Sequence, residues 1–324
     1  MSMIRLPHPF AASGNWYRGC LHVHTTESDG AMSPEALVRH YQMGGYDFVA
    51  ITDHDRLTDR THLSSPDFLV LRGIEVQVGR AELGERYHVV GIGISEPVDP
   101  RHWESAQATI DAIREAGGEA IVAHPYWSGL TVSDLLALRD YLAIEVYNTG
   151  CEVGNGRGHG ECWWDEMLTR GRPTLAVAAD DSHWPGFDSL GAWVMVKAPA
   201  LTAEAMMAAL RAGSFYCSNG PQIESLSWDE GAHRVEVHCS PVGVVALIAD
   251  PTLGSCLGAG RFGIERHARH VWGDRPWAEG LVDGAPITGA VLDLQGKETY
   301  TRVQVTDFYG RRAWANPLFV SQPD

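Results

Sequence analysis

The sequence predicts an α/β protein, a closed or nearly closed barrel followed by an all-β sandwich. Three observations predict it. Seven short apolar runs between residues 17 and 221 end in polar tips, with helical stretches between several of them. Such runs mark strands buried on both faces, as in parallel sheets. Beyond "NGPQIESL" helical periodicity nearly vanishes and period-two alternation takes over. A length of 324 residues suits a barrel with an added module.

The barrel strands are read, in order, at "GCLHVH", "DFVAITDHD", "FLVLRGIEV", "YHVVGIGI", "EAIVAHP", "YLAIEVYN" and "TLAVAADDSH". The first helix is read in "SPEALVRHYQMGG", with Ser33 as N-cap, Pro34 at the first helical position and Gly44-Gly45 as the stop. "WESAQATIDAIREAGG", "VSDLLALRDY", "ECWWDEMLTRG" and "TAEAMMAALRAG" follow the same pattern. Strands alternating with helices build βα units. The sandwich strands are read at "HRVEVHCS", "VVALIAD", "ETYTRVQVTDFYG" and "RRAWANPLFV". The boundary falls near residues 219–224, dividing the chain into 1–220 and 221–324. "GAGRFG" (258–263) matches a dinucleotide fingerprint but lacks the strand–turn–helix context, so it is read as a loop.

Composition narrows the function. The net charge of −16 and the absence of any Lys/Arg run argue against nucleic acid as a partner. A small phosphorylated substrate stays open, because bound cations supply local positive charge. Six cysteines without a CxxC pair suit reduced thiols. The first residues lack the apolar core of a signal peptide, and no stretch is long enough to span a bilayer, so a cytoplasmic location without membrane contact is expected.

The strand tips carry the chemistry. His22 and His24 alternate on one strand and share a face. Asp29 follows them, and the next runs supply Asp53, His54 and Asp55, then Glu75, His88, His124, Asp181 and His183. Any one of these is unremarkable as a satisfied polar residue. Five or six strands ending so at one edge are not, because desolvating that many imidazoles and carboxylates without partners is costly. Divalent cations remove the cost, and a nitrogen/oxygen set suits zinc, manganese or iron.

The ordered set HxH…SDG…TDH…GxE…H…HP…DxH resembles the PHP family, named for the polymerase and histidinol phosphatase proteins. The resemblance covers most of residues 17–220. It implies a distorted (β/α)7, TIM-like barrel holding two to three divalent transition metals. It implies a first metal on His22, His24, Glu75 and Asp181. Glu75 would bridge to a second metal on His88 and His124, and Asp29, His54 and His183 would hold a third. Asp29 stands where some members have histidine. The C-terminal part resembles a β-sandwich appended to some members, where it could pack over the barrel or mediate oligomerisation.

The implied activity is metal-dependent hydrolysis of a small phosphate ester, a nucleotide or another phosphomonoester, by a hydroxide held between metals. Glu75, Asp181 and His183 would be its catalytic residues. Two alternatives stay open: a barrel hydrolase of C–N bonds and a metal-binding, non-catalytic module. Asp53 could orient ligand imidazoles by accepting their second N–H, or simply face solvent. Glu145 and Asn148, at one strand tip, could line the pocket. Arg157 and His159 sit in a Gly-rich segment and could grip phosphate, or belong to a mobile surface loop.

Overall fold

The computed structural model describes residues 9–229, 231–259, 264–266, 268–270 and 285–319. All seven apolar runs form strands: β1 (Asn15–Cys20), β2 (Phe48–Ile51), β3 (Leu69–Val78), β4 (Tyr87–Ile92), β5 (Glu119–Val122), β6 (Ala143–Asn148) and β7 (Leu175–Ala179). β1, β2 and β3 pair in parallel, as do β5, β6 and β7. β4 runs antiparallel to both β3 and β5. A parallel bridge between Val23 and Ser182 joins the end of β7 to the chain just past β1, so hydrogen bonding returns to where it began. His24 N–H donates to Ser182 O (3.0 Å) and Asp181 N–H to His22 O (2.9 Å) across this seam.

The fold is therefore mixed α/β, and it departs locally from a uniform strand–helix repeat. Helix α1 (Pro34–Met43) links β1 to β2, α2 (Ala106–Glu115) links β4 to β5, and α3 (Val132–Ala137) links β5 to β6. No α-helix separates β2 from β3, or β3 from β4. The cap expected at Ser33 is made, accepting Ala36 N–H, and Ser105 and Thr131 cap α2 and α3 likewise by accepting Ala108 and Asp134 N–H. Between β6 and β7 lie α4 (Thr149–Asn155) and α5 (Glu161–Thr169). Part of the Gly-rich segment expected as a mobile loop is thus helical, started by Asn148 and stopped at Gly156, whose φ of 73° is left-handed.

Beyond β7 the sheet continues. β8 (Trp193–Ala198) pairs with β1, α6 (Ala203–Arg211) follows, and β9 (Phe215–Ser218) pairs with β8. The later strands are β10 (Ile223–Asp229), β11 (Arg234–Val242), β12 (Val244–Ala249), β13 (Ser255–Gly258), β14 (Ile264–Arg266), β15 (Ala268–His270), β16 (Ile287–Asp293), β17 (Tyr300–Thr306), β18 (Arg312–Ala315) and β19 (Leu318–Phe319). One sheet runs β14-β13-β12-β17-β18-β9-β8-β1 and on around to β7, with β19 on β17; a second runs β10-β11-β16-β15. Val235, Val237 and Leu292 of the second sheet pack against Val245, Leu257, Val303 and Val305 of the first in a core of their own. Residues 260–263 of "GAGRFG" lie outside the described residues.

Two arginines fasten this β-region to α5. Arg302 is buried with its guanidinium bidentate on Asp165 (2.6 and 2.7 Å) and 4.6 Å over the Trp164 ring. Arg312 Nη1 donates to Glu161 Oε1 at 2.5 Å, and Trp314 Nε1 donates to the same oxygen at 3.2 Å. Burial raises Glu161, but His159 and Arg312 outweigh it and hold the carboxyl near 2. Arg302→Ala should destabilise the chain by about 2–3 kcal/mol, because charged hydrogen bonds and stacking are lost together. Chemical denaturation measures this, and a change within about 0.5 kcal/mol would refute it.

Candidate metal centre

The structure brings all nine predicted ligands together at one end of the barrel strands. His22 and His24 lie just past β1, where the backbone is shared between Ser182 on one side and Thr52, which donates its N–H to Val23 O, on the other. His22 Nε2 and His24 Nε2 are 3.1 Å apart. Glu75 Oε2 is 3.2 Å from each, and Asp181 Oδ1 is 3.3 and 3.0 Å from them. Four donors on a tetrahedral ion with bonds of about 2.0–2.1 Å stand about 3.3 Å apart, so these side chains already have a cation's spacing.

The other oxygen of Glu75 faces a second set. Oε1 is 2.8 Å from His88 Nδ1 and 3.3 Å from His124 Nε2. His24, Asp29, His54 and His183 form a third group, with Asp29 3.6 Å from His54 Nε2 and 3.4 Å from His183 Nε2. The first two groups are buried, whereas Asp29 is exposed and His54 and His183 are half-buried. The open side of the centre is therefore the third group.

Glu75 Oε2 tests whether a cation fits. It is buried, has three imidazole nitrogens within 3.2 Å, yet makes no hydrogen bond of acceptable geometry. His54 Nδ1, 3.1 Å away, is likewise buried without a partner. Two electron-rich atoms facing one another unbonded, amid N and O donors, suit a divalent ion. The backbone is strained at two of the same residues: His124 has φ 24° and Asp181 φ 51°, conformations that cost non-glycine residues free energy.

The second nitrogens of the imidazoles show what steers them. His22 Nδ1–H donates to Glu145 Oε1 at 2.7 Å, and the other Glu145 oxygen accepts His124 N–H (2.9 Å) and an Asn148 amide hydrogen (2.8 Å). His124 Nδ1 lies 3.0 Å from Ser128 Oγ, and His183 Nδ1–H donates to Asp181 O at 2.8 Å. Glu145, read from sequence only as a pocket-lining tip, thus orients two candidate ligands. Among the described residues, Asp53 makes no hydrogen bond to an imidazole. It accepts from Thr25, Ser28 and Thr58, and reaches His24 only through Ser28, whose Oγ is 3.5 Å from Nδ1.

Of the three residues expected on substrate, Asn148 lies within the centre, and Arg157 and His159 make contacts outside it. Asn148 is fully buried, bonded to Glu145 and, at 3.2 Å, to Asp181. His159 is held between Glu161 (3.2 Å) and Arg312 (3.3 Å) at the junction with β18. Arg157 places its guanidinium 5.4 Å over the Tyr126 ring. At the rim, the Trp127 indole stands 5.5 and 5.1 Å from the His88 and His124 rings and is 43% exposed. His233 and His238 join no metal-binding group among the described residues, and His238 pairs with Glu236. His267 and the side chain of His270 lie outside the described residues.

Charge among these side chains is self-compensated. Burial pulls His22 and His124 down, but the surrounding carboxylates outweigh it and hold both above their ordinary value. His24, under the same burial, is raised to about 9 by Asp181 and Glu75. Burial pushes Glu75 and Asp181 up, yet the imidazoles hold both well below the carboxylate range.

The sign of the pH dependence follows. Raised imidazoles contribute stability in full below their unfolded value, about 6.5, and lose it as pH climbs through about 9 for His24. Depressed carboxylates contribute above their unfolded value of about 4 and lose it in acid. The metal-stripped chain should therefore melt at falling temperature from pH 6.5 to 9, and the cation-loaded chain much less. Melting curves across that window check this; a rising temperature for the stripped chain would contradict it.

No family model matches the chain. Its fold is PHP-like: it superposes on a two-domain protein from Bacteroides vulgatus containing a predicted PHP-like metal-dependent phosphoesterase, with TM-score 0.51, 15% identity and 95% of each chain covered. In sequence it is 30% identical over 140 residues to the uncharacterized protein MJ1587 of Methanocaldococcus jannaschii, covering 40% of this chain and 80% of that one, and it belongs to the same family as that protein. An amidohydrolase from Chromobacterium violaceum is also similar, with TM-score 0.43, 18% identity, and 52% of this chain and 89% of that one covered. Among the described residues, no helix is long and apolar enough to cross a membrane.

Proposed function

We propose that the protein is a metal-dependent phosphoesterase acting on a small phosphate ester, its centre carried by residues 1–220. The observation that supports it most is Glu75, whose two oxygens face two separate imidazole sets. A carboxylate so placed holds two divalent cations at neighbouring positions. His22, His24 and Asp181 would complete the first position, His88 and His124 the second, and Asp29, His54 and His183 the third.

Divalent cations, when bound, acidify water and neutralise the charge that builds on phosphoryl oxygens. This chain's own residues do the rest. Glu145 and Ser128 fix the ring planes of His22 and His124. Asn148 holds Asp181 Oδ2, turning Oδ1 toward the histidines. Substrate enters over the half-buried His54 and His183, the side from which a leaving alcohol can take a proton from solvent. The indole of Trp127 shields His88 and His124. In a chain of net charge −16, an anionic substrate needs those cations for attraction as well as for chemistry.

The test is phosphate release by metal-stripped protein reloaded with Mn²⁺, Zn²⁺ or Fe²⁺, over a panel of small phosphoesters run beside amides and lactams. Turnover of a phosphoester that chelation abolishes and reloading restores is expected. Turnover confined to C–N substrates would overturn the phosphoester assignment. A chain that takes up metal but turns over neither class of substrate would leave the metal-binding, non-catalytic module instead.

A further inference from the structure

The cysteines of this chain differ in where their sulfurs point. Cys20, Cys217 and Cys239 are buried, and each thiol donates to a backbone carbonyl: His22 O at 3.5 Å, Trp314 O at 3.9 Å and Ile287 O at 3.9 Å. Such contacts satisfy a buried thiol and leave it inert. Cys151 is buried too, but its sulfur lies 4.0 Å from Asp181 Oδ2, at the outer limit of a sulfur hydrogen bond and on a candidate ligand.

Its position is built by backbone. Gly150 N–H donates to Asp180 O at 2.8 Å, drawing the start of α4 onto the end of β7. A Cβ at residue 150 would come within 2.9 Å of Asp181 O, so a larger residue would push the helix away. Asn148 Oδ1 accepts Cys151 N–H at 2.9 Å and fixes the thiol from the other side. As a result the sulfur, a His124 ring nitrogen and an Asp181 carboxylate oxygen lie within 4.8 Å of one another, all buried. The sulfur stands outside the Glu75, His88 and His124 set, so this group is a separate seat that shares His124 with it, and its three protein donors are one short of a four-coordinate site.

We infer that Cys151 supplies a thiolate to a cation seated with His124 and Asp181, making that position a mixed imidazole, carboxylate and sulfur site. The inference rests on the metal-centre reading above. On binding, the thiol proton leaves to solvent and a sulfur lone pair forms the bond, with no redox change. A soft donor biases this position toward zinc, cobalt and cadmium over manganese.

The experiment uses the full chain, stripped of metal, kept reduced and titrated with Co²⁺. The expected spectrum has visible d–d bands and a near-ultraviolet sulfur-to-cobalt charge-transfer band. That band should vanish in Cys151→Ser and persist in Cys162→Ser, which removes the exposed thiol of α5. Cys151→Ser should also weaken zinc binding about tenfold or more while manganese binding changes little. If the serine variant misfolds by circular dichroism, cadmium NMR of the unaltered chain decides instead, since sulfur ligation shifts the signal strongly downfield. Cobalt d–d bands without a charge-transfer band, or one that survives Cys151→Ser, overturn the inference and leave the metal centre standing. No cobalt spectrum at all overturns the metal-centre reading, and this inference with it.

Discussion

Glu75→Gln should lose bound metal and turnover together, with the rate falling about 10²-fold or more. The substitution keeps the shape of the side chain, so packing around β3 survives. It removes the charge between two imidazole sets that stand 2.8 to 3.3 Å from the two oxygens. Two cations at these positions would then repel one another with less negative charge between them. An amide also turns an NH2 group toward nitrogens or a cation on one side, where it can only oppose binding. Elemental analysis and single-turnover rates on the same preparation measure both losses. Full metal content with near-normal turnover would show that Glu75 bridges nothing.

Glu145→Gln comes next in expected size, with metal affinity about 10- to 100-fold weaker. Its carboxylate accepts from the His22 ring, the His124 backbone and the Asn148 amide, so one change loosens ligands of two positions. Asp53→Asn should be milder, because Asp53 organises the Thr25–Ser28 turn and meets His24 only through a 3.5 Å contact from Ser28. Metal titrations of the two variants rank them. If Asp53→Asn proved the weaker binder, the path through Ser28 would matter more than the direct bond to His22.

Much of this was legible in the sequence because strand ends are read by residue type. The seven runs became seven strands; β1, however, stops at Cys20, so the HxH pair stands just past it, held by the Val23–Ser182 bridge, with its two Nε2 atoms 3.1 Å apart. His88 is instructive, because it begins its strand while its companions end theirs. Only the antiparallel course of β4, which sets Gln77 opposite His88, brings that beginning to the same rim. Local pattern does not carry strand direction. Glu145 could be placed at a strand tip, but not on His22, 123 residues away. His159, read as a candidate phosphate contact or part of a surface loop, shows the same limit. Its partner Arg312 lies 153 residues later, in a strand whose pairing no local pattern reveals. Long-range carboxylate–imidazole and arginine contacts are set by topology, and topology is what periodicity leaves open.

The uninterrupted sheet has a consequence for how the chain acquires its shape. β9 pairs through Tyr216, Cys217 and Ser218 with Ala315, Trp314 and Ala313, almost a hundred positions downstream. During synthesis the barrel strands emerge first, and β9 waits with one row of amides and carbonyls bare until β18 arrives. Such an edge, flanked by Phe215 and Tyr216, is a template for the wrong neighbour. A chain halted near residue 220 would retain every candidate ligand and still be prone to join its own copies edge to edge. The late strands therefore act as a built-in guard against aggregation, whatever else they do.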